Sequence, residues 1–214
     1  MSFSLKALLG SVTPLQGLQI DQAIVGIFIS RRALGLYVVA VAFTNLPRFL
    51  SQSIGLVAYP HFAAMRDAHD RARGVIRFVG MTLLLCGASI IVIELALPTL
   101  VPFLFGKAFE DAVGVAQILL ISALLFGIRR VLSECARGAG RPALGSVAEA
   151  ISLISLFPAL SLFFHSGAKG VALALVVAAA AGLIGIIVGW VARPAAGRVA
   201  ETVSGEPSEA LVES

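Results

Sequence analysis

Charge is scarce in this sequence. Of its 214 residues 13% are Asp, Glu, Lys or Arg and 58% are hydrophobic, whereas soluble domains carry ~25% charged residues. That shortage excludes an ordinary soluble enzyme and a disordered chain. Cysteine is nearly missing: Cys86 lies in an apolar run and Cys135 in a basic segment, which suggests neither a disulfide nor a metal site. His61, His69 and His165 share no ligand spacing. There is no nucleophile–base pair, no metal-ligand cluster and no phosphate-binding glycine loop, so neither enzyme chemistry nor a cofactor is expected. The formal charge of +4 is no nucleic-acid signature, because the arginines fall in short clusters between apolar runs. They look like loop charges that orient a membrane protein. The expected partner is a lipid bilayer and not nucleic acid. A cleavable leader is poorly supported as well. Lys6 is the one early cation, Pro14, Gln16 and Gln19 interrupt the apolar run, and no small-residue cleavage site follows.

What is abundant is apolar sequence, with a mean hydropathy of +0.98. Six stretches have the length of membrane spans, about 8–29, 34–60, 78–97, 112–128, 143–164 and 170–190. They define an all-α integral membrane protein, a six-transmembrane-helix bundle over residues 1–191. The segment 192–214, rich in Glu, Ser, Gly and Ala, is expected to be a disordered cytoplasmic tail. The hydrophilic segment 65–77 is expected to be a loop. Arg129 and Arg130 are expected to close the fourth span, with Glu149 near the start of the fifth. The sixth span has no charge, and its alanines with Gly182, Gly185 and Gly189 predict a tightly packed or dimerising helix, with Trp190 as an interfacial anchor.

The second span carries the most informative pattern. Thr44, Asn45, Arg48, Ser51, Gln52, Gly55 and Tyr59 recur at helical spacing and occupy an arc of roughly 120°. Pro47 is expected to kink this helix. An arginine at mid-bilayer costs at least ~2.5 kcal/mol on insertion scales, so Arg48 should face helices or a wet cavity. Snorkelling to a headgroup or a quiet ion pair is the alternative. A whole polar face, rather than one charge, favours a cavity wall. Asp21, in the weakly apolar first span, reads either as a cavity-lining acid, protonated or paired with Arg48, or as a structural helix-to-helix contact. The candidate substrate-binding residues are therefore Arg48, Asn45, Gln52 and Asp21. Counting cations on alternate sides places both termini in the cytoplasm. One side collects Lys6, Arg66, Arg71, Arg73, Arg77, Arg129, Arg130, Arg137, Arg141, Arg193 and Arg198, and the other Arg31, Arg32, Lys107 and Lys169.

Several features in this order resemble the carboxy-terminal half of the polysaccharide biosynthesis (oligosaccharide flippase) family, within the multidrug/oligosaccharidyl-lipid/polysaccharide exporter superfamily. They are Asp21, Leu34-Gly35-Leu36-Tyr37, Tyr59-Pro60, the FLFGKAF turn at 103–109, Gly138-Ala139-Gly140-Arg141-Pro142, Glu149, and GAKGVA at 167–172. The resemblance implies one lobe of a two-lobed exporter in the bacterial inner membrane. Such a protein moves lipid-linked oligosaccharides, typically on undecaprenyl pyrophosphate, by alternating access around a central cavity. It implies that Arg48 holds the anionic head, with Asn45, Gln52 and Asp21 beside it. A full member has about twice as many helices, so either a missing amino-terminal lobe or a second copy of the chain is expected to complete the cavity. Two other functions stay open: a cation-coupled drug or small-molecule exporter using Asp21 or Glu94, and a truncated, non-transporting membrane subunit.

Overall fold

The computed structural model describes residues 30–65 and 67–192. The predicted first span with Asp21, and the tail from residue 193 onward, lie outside these residues. Six helices follow in order: α1 (Arg31–Ala42), α2 (Asn45–Ala64), α3 (Ala68–Phe105), α4 (Asp111–Gly138), α5 (Ala143–Phe163) and α6 (Gly167–Ala192). Short 3-10 turns at Lys107–Phe109 and Phe164–Ser166 precede α4 and α6. Among the described residues α3, α4, α5 and α6 are each long and apolar enough to cross a membrane. Together α1 and α2 make a fifth, bent span. The chain is an all-helical, multi-pass membrane bundle.

The bend of the α1–α2 pair is 46°, and it falls upstream of the proline expected to cause it. Helix α1 starts at Ser30, whose side chain accepts a hydrogen bond from the Ala33 amide. It stops at Phe43, where the Thr44 amide and hydroxyl both donate to the Val41 carbonyl, at 2.9 and 2.7 Å. Pro47 is the third residue of α2, in the first turn, where no intrahelical N–H partner is needed. The break therefore belongs to Thr44, whose hydroxyl competes with the helix for its own backbone.

The expected loop at 65–77 is largely helix. Asp67 accepts from the His69 amide and caps α3, which then runs for 38 residues. At 1.5 Å per residue that is about 57 Å, far more than the ~30 Å hydrocarbon core, so the basic first turns stand outside it. Arg71 is tied down by donating from Nε and Nη2 to the Met65 carbonyl, at 3.1 and 2.6 Å, across the α2–α3 turn. Pro98 and Pro102 sit inside α3, which ends at Gly106.

Helix α4 is the axle of the bundle and touches every other helix. Its buried residues Ala112, Val115, Ala116, Leu119 and Leu120 join Tyr37 and Ala40 of α1 and Val171, Ala174 and Ala178 of α6 in the main core. A second cluster, Ile54, Ala58 and Phe62 with Phe78, Val131 and Cys135, joins α2 and α3 to the other end of α4. Helix α3 is the least buried and presents Leu84, Ile91, Leu95 and Phe103 outward, a side that suits lipid. Buried hydroxyls turn back on their own helices: Thr82 donates to the Phe78 carbonyl, Ser122 to Leu119 and Ser152 to Ala148. Each polar group is thereby satisfied without water.

Glycines permit close approaches between helices, and a Cβ on Gly170 would lie 1.9 Å from the Phe163 carbonyl oxygen. A Cβ on Gly138 would lie 2.4 Å from the Tyr59 carbonyl oxygen, so α4 meets the backbone of α2 there. A Cβ on Gly182 would lie 1.9 Å from Ser152 Oγ and 2.8 Å from the Ala148 carbonyl oxygen. The small residues of α6 are thus spent inside the bundle against α5. Gly185 and Gly189 likewise meet Ile151 and Leu144, the tight packing that the composition allowed.

Candidate functional site

Arg48 lies midway along the bent α1–α2 span, and three of the four residues proposed for the site share the α2 face around it. Asn45 and Gln52 flank Arg48 by three and four positions, so they lie beside it on the helix surface. Asp21 is outside the described residues, and its pairing with Arg48 stays an expectation. Across the polar arc, exposure rises in sequence around the helix. Ser51, Thr44 and Gly55 are buried, Arg48 is half-buried, and Tyr59, Gln52 and Asn45 are exposed.

The buried edge of that arc has identifiable partners on α4. A Cβ on Gly127 would lie 3.0 Å from Ser51 Cβ, and a Cβ on Gly55 would lie 3.1 Å from Glu134 Cγ. On the α3 side, Cys86 Sγ approaches the Pro47 carbonyl at 3.5 Å. The polar face is therefore divided. Half of it closes against α4, and half opens on the side where Leu56, Phe49, Leu46 and Val57 are also exposed. Arg48 stands on the dividing line. It takes part in none of the ion pairs among the described residues.

The other cations fall elsewhere. Arg31 and Arg32 open α1, and Arg32 Nη2 reaches Asp111 at 3.9 Å in an exposed pair. A cavity of about 260 Å³ lies there, lined by Ser30, Arg32, Asp111 and Lys169 among others. It sits at the starts of α1, α4 and α6 and does not include Arg48. Glu94 is half-buried in α3.

The largest surprise is Arg129. It does not close a span. Helix α4 continues to Gly138, and Arg129 is buried inside the bundle against Glu149 of α5, with side chains 5% and 8% exposed. Its guanidinium also lies 5.3 Å from the centre of the Phe126 ring. Each residue looked unremarkable at the edge of an apolar run. The signal available was that Glu149 is the one ionisable residue in the whole of 143–164, and a charge there is costly unless it faces the bundle interior and meets a partner.

A bundle of long apolar helices, one of its spans broken, defines a multi-pass membrane class of fold. Residues 1–114 match the family described as "Polysaccharide biosynthesis protein", more than half of the chain, and the chain belongs to that family. Its fold is similar to that of a solved structure, "Lipid II flippase MurJ, inward closed conformation", with a TM-score of 0.72 at 15% sequence identity. That similarity covers 86% of this chain and 40% of the flippase, so the chain spans well under half of that protein's length. No curated protein matches the sequence.

Proposed function

We propose that this chain forms one lobe of a flippase for lipid-linked oligosaccharide or polysaccharide precursors in the bacterial inner membrane, working by alternating access and without catalytic chemistry. The observation that carries the reading is the family match, because it spans residues 1–114 and so includes Asp21, Asn45, Arg48 and Gln52. The open half of the α2 polar face supports the same role. A half-buried guanidinium with amide neighbours can exchange water for a pyrophosphate oxygen by charge-assisted hydrogen bonds. The substrate is an undecaprenyl-pyrophosphate-linked oligosaccharide. The facing wall of the cavity is supplied by a second bundle, either an amino-terminal lobe or another copy of the chain.

Both termini lie in the cytoplasm. With Arg129 withdrawn into the bundle, the side holding Arg71, Arg73, Arg77, Arg137 and Arg141 still outweighs the side holding Arg31, Arg32, Lys107 and Lys169.

The test is complementation of a strain lacking its oligosaccharide flippase, with the chain expressed alone and with an amino-terminal lobe. The wild type restores surface oligosaccharide, Arg48→Ala abolishes it and Arg48→Lys keeps part. Restoration that survives Arg48→Ala removes Arg48 from the cavity. Failure of the wild type in both arms removes the flippase.

A further inference from the structure

Between Lys169 and Ala192, α6 carries no charge, and α5 carries one, Glu149. Helix α5 packs along the length of α6 and meets α4 over a shorter line. In lipid, apolar side chains give little preference for one seating over another, because the acyl chains are as apolar as leucine. Something else must decide which turn of the α5–α6 hairpin lies against which turn of α4. We propose that the Arg129–Glu149 pair is that device, a dry register pin between α4 and the hairpin.

Its described surroundings are largely apolar. Ile128, Leu132, Ala148 and Ile186 form an apolar cluster around it. Gly182 of α6 closes over it, and a Cβ there would lie 3.1 Å from Arg129 Cδ. Arg129 Nε and Glu149 Oε1 find no hydrogen-bond partner among the described residues, so each charge depends on the other. A slide of one helical turn, 5.4 Å, sets Glu149 against Leu125 or Ser133 and leaves both charges buried and uncompensated. A buried pair adds little net stability compared with apolar residues of the same size, but separating its partners is heavily penalised. That asymmetry selects one seating. Because α4 touches every other helix, the pin also sets where α2 and Arg48 stand relative to α5 and α6.

Disulfide trapping in isolated membranes tests the pin and reads geometry whether or not the chain transports anything. The background carries Cys86→Ala and Cys135→Ala. Ser133→Cys with Gly145→Cys reports the native seating, since a Cβ on Gly145 would lie 3.1 Å from Ser133 Cβ, close to disulfide range. Arg137→Cys with Gly145→Cys reports a slide of one turn. The native pair cross-links efficiently and the slid pair does not. Glu149→Gln lowers native cross-linking about tenfold, as expected when one partner of a buried pair is neutralised, and Arg129→Glu with Glu149→Arg restores it. The neutral double variant, Arg129→Met with Glu149→Gln, still inserts but cross-links at both positions. The proposal is overturned if that variant keeps the single native seating or fails to accumulate. It is equally overturned if the charge swap inserts without restoring the native cross-link.

Discussion

The bent α1–α2 arm and the α4–α5–α6 block differ in how they hold an arginine. In the block Arg129 is paired with Glu149, beside hydroxyls that turn back on their own helices, Ser152 on the Ala148 carbonyl and Ser122 on the Leu119 carbonyl. In the arm, Asn45, Gln52 and Tyr59 are left open, and Arg48 sits between the closed and open halves. Both regions hold an arginine well inside an apolar chain. One has its counter-charge built in, and the other is left to find it outside the described residues or in a ligand. Burial of a charge therefore does not by itself mark a substrate site.

The contrast can be broken most forcefully in the block. Arg129→Ala or Glu149→Ala leaves an uncompensated buried charge and is expected to cost about 3–5 kcal/mol, read as loss of membrane accumulation and of the thermal transition in detergent. Melting like the wild type would show that the pair is not dry. Next comes Gly182→Ala, which drives a methyl into Ser152 and the Ala148 backbone and should cost about 1–3 kcal/mol in the same melt. Arg48→Ala is expected to shift stability by less than ~1 kcal/mol while abolishing complementation. A large drop in melting temperature instead would make Arg48 another structural charge.

Smaller effects sharpen the contrast. With Cys86 and Cys135 replaced by alanine, Asn45→Cys and Gln52→Cys should react with a membrane-impermeant thiol reagent, whereas Ser122→Cys and Ser152→Cys stay silent. Equal silence at all four would close the groove. Arg32→Ala, which removes the exposed pair with Asp111, should change stability by about 0–1 kcal/mol, less at high salt.

Much of this was legible in the residues, and the parts that were not share a cause. The helices α3 to α6 follow from long apolar runs, because a backbone in hydrocarbon must bond to itself. The polar arc of α2 follows from 3.6-residue periodicity. The ends are different. The basic segment of α3 was expected to be loop because it is hydrophilic, yet Asp67 caps it and α3 runs on outside the membrane. Charge reports depth in the bilayer, not helicity. The bend was assigned to Pro47 from its chemistry, but a proline in the first turn disturbs nothing, and Thr44 makes the break.

Composition and period alone established that this is a helical membrane bundle and which residues of α2 share a face. Those properties are local: each depends on a residue's transfer free energy and on its angle around one helix. Whether a charge or a glycine is used up inside the bundle depends on a neighbour far away in the chain. Thus Arg129 found Glu149, α6's glycines closed on α5, and half of the polar arc met α4, while Arg48 acquired no resident partner among the described residues. Pairing of that kind is settled by helix packing, because in an apolar solvent the nearest complementary group outweighs any preference written along a single helix.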